Sequence, residues 1–81
     1  MNMHWWFDCI EKTAEKYVYA YSCECKDLDG IITYYVDTDS AEITKESASD
    51  EGSPVLLRQS LRHIYTVKRQ GFPQTYHVCC G

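Results

Sequence analysis

The sequence has no acidic residue after Glu51, only two prolines and four glycines in 81 residues, and no long apolar run. Each shortage argues against a class of protein. No stretch approaches the roughly 18 apolar residues of a membrane helix, so no membrane is expected among its partners. Four scattered glycines make no glycine-rich phosphate loop, and neither a G-x-S-x-G turn nor an H-E-x-x-H helix is present. Five cysteines cannot all pair within one chain, which argues against a disulfide-stapled secreted scaffold. The opening MNMHWWFDCIEK lacks the basic start, apolar run and small-residue cleavage site of a secretory signal. The expected location is therefore the cytoplasm, where thiols stay reduced.

What is present is apolar and aromatic enough to fold. Apolar residues make up 44% of the chain and aromatics 14%, seven of them tyrosines, so the chain can bury a core. Its length permits one core only, and residues 1–81 are read as a single small domain. The net charge of −4 conceals an asymmetry: all twelve carboxylates lie in the first 51 residues, while Arg58, Arg62, Lys68 and Arg69 follow with no acid. A basic end of this kind either docks an acidic partner or lies against the chain's own acidic half, and the second is preferred in so short a chain.

The clearest element is a helix over 54–70. Ser53 is placed to cap the first amides, and Pro54 suits the first helical position, where no backbone N–H is needed. Asp50 and Glu51 lie near the positive end of the dipole, Lys68 and Arg69 near the negative end, and Gly71 and Pro73 stop the helix. At 100° per residue, Leu57, Leu61 and Ile64 fall at the centre of its apolar face, while Arg58, Arg62 and Arg69 gather in a narrow arc beside Tyr65.

Upstream, KYVYAYSCE and GIITYYVDT are rich in tyrosine and β-branched residues and flank the turn CKDLDG, which predicts a hairpin of 17–25 with 30–37. A short charged strand over 42–46 suits a sheet edge, and 47–53 has loop composition. Residues 4–16 fit two templates. As a helix, Trp6, Cys9, Ile10, Ala14 and Tyr17 share a face; as a strand, Trp5, Phe7 and Cys9 alternate with His4 and Asp8. The strand, 3–12 with a turn through 13–16, is preferred for its aromatic content. The tail QTYHVCC is β-prone and is a candidate last strand. The fold class is α+β: an antiparallel β-meander of about four strands with one C-terminal helix packed on one face.

The cysteines invite a metal or redox reading. Cys23, Cys25, His77 and Cys79 have the donor types of a zinc site, but such sites favour two cysteines separated by two to four residues. Here one residue separates the first pair, and on an extended strand those side chains stand about 6.5 to 7 Å apart. Buried or idle thiols are preferred, and no cofactor is expected. Cys79 with His77, on one strand face, is the only nucleophile candidate. The paired aspartates at 27 and 29, and at 37 and 39, lack the remaining ligands of a calcium loop, and His4 and His63 belong to no motif.

These readings lead to a non-enzymatic protein-interaction or regulatory module, its partner an unknown protein or a second copy of itself. The expected contact residues are Arg58, Arg62, Arg69, Tyr19 and Tyr35, with a tyrosine-rich sheet face left open by the helix. A small zinc-binding domain using Cys23, Cys25, His77 and Cys79 is the alternative. Nucleic acid is disfavoured because the sheet carries the chain's acids and repels phosphate.

Overall fold

The computed structural model describes residues 3–24 and 26–80, the Cys80 side chain excepted. Strands β1 (Met3–Lys12), β2 (Lys16–Cys23), β3 (Gly30–Tyr35) and β4 (Ser40–Lys45) form an antiparallel meander. Helix α1 (Pro54–Arg69) crosses one face, and β5 (Thr75–Cys80) returns antiparallel to β1, giving the order β4-β3-β2-β1-β5. The α+β meander read from the sequence is the fold, and the tail makes its fifth strand. Residues 4–16 are strand and turn. Thr13 closes that turn by accepting from the amides of Glu15 and Lys16 through its hydroxyl.

Helix α1 starts and stops where its chemistry requires. Ser53 is extended and its hydroxyl accepts from the Leu56 amide at 3.3 Å, while Pro54 opens the first turn. At the other end Gly71 takes φ +81°, and the Phe72 amide donates back to the Val67 carbonyl at 3.0 Å. That return tucks the Phe72 ring between Tyr17 and Tyr34, at centroid distances of 4.3 and 4.9 Å. The chain is thereby aimed at the edge of β1.

Two expectations about faces are corrected. Ser60, Ile64 and Val67 form the buried centre of α1, whereas Leu57 and Leu61, expected there, are half-buried flanks. The open sheet face is also not tyrosine-rich. The cross-strand partners Phe7 with Tyr21 and Tyr76, Cys9 with Tyr19, and Tyr17 with Tyr34 put five tyrosines on the face that α1 covers. Strand alternation groups side chains correctly but does not say which group the helix will cover.

The core contains a polar seam. The Trp5 indole N–H donates to Ser60 Oγ at 2.7 Å; the Ser60 hydroxyl donates to Asp50 at 2.7 Å, and the Tyr21 hydroxyl donates to the same carboxylate at 2.9 Å. Asp50 is therefore not a surface charge serving the helix dipole. It is 1% exposed and ties β2, the 46–53 loop and α1 together. Burying it without a partner would cost several kcal/mol; the two hydroxyl donors offset that.

A bulge between Cys9 and Glu11 turns Ile10 outward, where it is 57% exposed, and returns Lys12 to the helix side. There Lys12 donates to the Phe72 carbonyl at 2.8 Å. The acidic and basic halves meet less than expected: among the described residues, the only ion pair between them joins Lys68 to Asp39. The arginines take no part in it.

Candidate functional site

Two surfaces gather chemically capable side chains. The first is the outward face of α1. Arg58, Arg62 and Arg69 are all exposed, and none forms an ion pair with another described residue. Arg69 donates only to the Thr66 hydroxyl one turn back, at 3.1 Å. Arg58 and Arg62 border a shallow groove completed by Val55, Gln59, Leu61 and Tyr65. Val55 is 56% exposed at its end. The helical period alone brings these residues together, so this arrangement was readable from sequence.

Of the two tyrosines expected as contacts on the open sheet face, only Tyr35 lies there. Tyr19 is fully buried beneath the helix, its hydroxyl donating to the Pro73 carbonyl at 2.5 Å, so no partner reaches it. Burial holds its phenol well above the ordinary value. Tyr35 does lie on the open face, half-buried, but its hydroxyl already donates to Glu42 at 2.6 Å. Neither residue adjoins the arginine groove.

The second surface is the corner of the open face where β1 meets β5. Register places Cys79 opposite His4 and His77 opposite Trp6. The His4 and His77 rings lie 11° from parallel with Nδ1 and Nε2 at 2.9 Å and centroids at 5.1 Å, so they meet edge to edge through one N–H···N bond. Beyond the far nitrogen of His4, Nε2, lies Cys79 Sγ at 3.8 Å. Both imidazoles run nearly parallel to the Trp6 indole, at centroid distances of 5.6 and 4.8 Å. The Glu24 carboxylate accepts from the His4 amide at 2.7 Å and fixes the backbone there.

Beside this cluster a cleft of about 460 Å³ runs from His77 past Trp6 to Asp8, Lys26, Leu28 and Thr75. That is within the size range of small-ligand sites.

The four residues of the zinc alternative do not come together. Val78 and Cys23 both oppose Trp5, on the helix side of the sheet, whereas His77 and Cys79 point to the open side. A sheet therefore separates Cys23 from the other two, and Cys25 falls outside the described residues. Burial first, then the Glu24 and Asp50 carboxylates, pushes the Cys23 thiol up to about 11. It is a poor ligand and a poor nucleophile. Among the described residues, no group of three His, Cys, Asp or Glu side chains is arranged to hold a metal ion.

Sequence reasoning missed His4 and Trp6. Period two puts them on one face of β1, just as it pairs His77 with Cys79 on β5, but nothing local indicates that the first and last strands are neighbours. Comparison with protein-family models, with curated proteins and with solved structures finds no match to this chain. Within the described residues no helix is long and apolar enough to cross a membrane.

Proposed function

We propose that the chain is a non-enzymatic protein-interaction module whose arginine face on α1 engages an acidic segment of a partner protein. One observation supports this above the rest: three exposed arginines form no ion pair with any described residue, in a chain that holds twelve carboxylates. The fold spends its acids elsewhere. Arginine is enriched at interaction hot spots, and Val55, Leu61 and Tyr65 add apolar surface on which a partner's aliphatic or aromatic anchor can rest. Asp39 engages Lys68 and Asp50 is sealed in the core, so neither competes for this face.

The test is titration of the labelled protein with a glutamate-rich peptide bearing leucine anchors, followed by NMR and repeated at rising salt. Shifts are expected at Val55, Arg58, Arg62 and Tyr65, with an affinity that falls as salt is added. The double variant Arg58→Glu/Arg62→Glu should bind about tenfold or more weakly, since attraction becomes repulsion. The reading fails if the peptide binds equally to the variant, if the shifts map to the open sheet face, or if duplex nucleic acid binds the arginine face and the peptide does not. A salt-sensitive dimer lost in the same variant would identify the acidic partner as a second copy of the chain.

A further inference from the structure

We infer that Cys79 is a site of thiol–disulfide exchange, with His4 as its base, His77 as the residue that positions His4, and low-molecular-weight disulfides as its co-reactants. The geometry is a nucleophile, a base and an orienting group in line, the arrangement that activates thiols and hydroxyls on many unrelated folds. Cys79 is exposed, so a disulfide can reach it. His4 Nε2 lies 3.8 Å from its sulfur, long for a hydrogen bond but within the range that tightens when a reactant is bound. At the opposite corner of the same ring, His4 Nδ1 is bonded to His77 Nε2 at 2.9 Å.

The bond between the two imidazoles decides where protons sit. An N–H···N bond needs one protonated and one bare nitrogen. When His4 Nδ1–H donates to His77 Nε2, the bare Nε2 of His4 faces the thiol. The Cys79 proton then passes to His4 Nε2, and the bond from the resulting imidazolium to His77 becomes charge-assisted, which strengthens it. The thiolate attacks one sulfur of the disulfide; a bond forms between Cys79 Sγ and that sulfur, and the original S–S bond breaks. The departing thiolate carries away the electron pair and takes the proton from His4. Cys79 is oxidised to a mixed disulfide as the other half of the reagent is reduced to a thiol.

The same geometry disfavours a metal on these three residues. His4 directs one nitrogen at His77 and the other at Cys79, on opposite sides of its ring, so no single ion is reached by all three donors. The other thiols whose surroundings are described lack a histidine. Cys23 is buried in the core, and Cys9 Sγ faces the Glu11 carbonyl at 3.6 Å.

The experiment treats the reduced, folded protein with substoichiometric oxidised glutathione and locates the adduct by fragmentation mass spectrometry, with Cys80→Ser as a parallel variant. Cys79 should be modified first, at least about tenfold faster than Cys9 or Cys23. His4→Ala should slow Cys79 by about tenfold or more and alter the pH profile of its reaction. His77→Gln, which keeps an acceptor for Nδ1–H, should retain more of the rate than His77→Ala, a difference that a merely structural role would not produce. Circular dichroism of each variant establishes that it is folded. The inference is overturned if Cys80 or Cys9 reacts as fast as Cys79, or if His4→Ala leaves rate and pH profile unchanged. It is equally overturned if zinc binds stoichiometrically and its binding needs both His4 and Cys79.

Discussion

The Trp5 indole N–H and the Ser60 hydroxyl, 55 residues apart in the chain, form a buried 2.7 Å hydrogen bond that fastens β1 to the middle of α1. Ser60 passes the bond on to Asp50, so one small side chain satisfies a donor and supplies another. Ser60→Ala leaves the indole N–H without an acceptor and removes one of two hydroxyl donors to a buried carboxylate. The expected loss is about 1 to 3 kcal/mol, read as a lower urea midpoint with an unchanged slope.

Ile64 and Leu61 separate core from flank. Ile64 is fully buried and Leu61 only half so. Ile64→Ala should cost about 2 to 5 kcal/mol and Leu61→Ala clearly less. Denaturant midpoints in the reverse order would mean that the helix presents a different face to the sheet.

Gly30 opens β3 where the Tyr21 and Ser47 side chains lie close against the backbone. A methyl group there would overlap the Tyr21 ring and come within 2.9 Å of the Ser47 side chain. Both neighbours belong to the Asp50 network, so neither yields without loss. Gly30→Ala should destabilise by about 1 to 3 kcal/mol through overpacking. Gly71→Ala meets open space and should cost only the strain of its φ of +81°, about 1 to 2 kcal/mol. Comparing the two variants by thermal denaturation distinguishes crowding from backbone strain.

Acid should destabilise the fold in two stages. Burial against Trp5 first, and the Arg62 charge second, hold the His63 imidazole below its ordinary value of 6.5. The unfolded chain then binds more protons in that window, so the stabilisation is complete above 6.5 and is lost as pH falls toward the depressed folded value. His63→Gln should flatten this part of the profile between about pH 7 and 5. At lower pH, Asp29 and Asp39 follow. The Ser47 hydroxyl bonds Asp29 and the Lys68 ammonium bonds Asp39, holding both below the usual 3.8. Their contributions are present above 3.8 and lost as pH falls through the folded values, a decline that Asp29→Asn and Asp39→Asn should each reduce.

Local chemistry determined the elements of this protein. A capping serine, a proline at the first helical position and a glycine at the stop bound α1 without help from the rest of the chain, and alternating tyrosines with a short turn mark the central hairpin. The helical period likewise places Arg58, Arg62 and Arg69 in one arc, because those residues share a single helix. Contacts between distant segments were decided by the tertiary structure. Which face of the sheet α1 covers depends on docking, and docking hid Tyr19 while leaving Trp6 half-buried on the open face. The sheet itself keeps Cys23 apart from Cys79. The meeting of His4 with His77 and Cys79, 73 and 75 residues away, depends on β5 pairing with β1. That pairing rests on hydrogen bonds between backbones, which leave no periodic trace in the side chains and are settled only when the helix delivers the tail to the edge of the first strand.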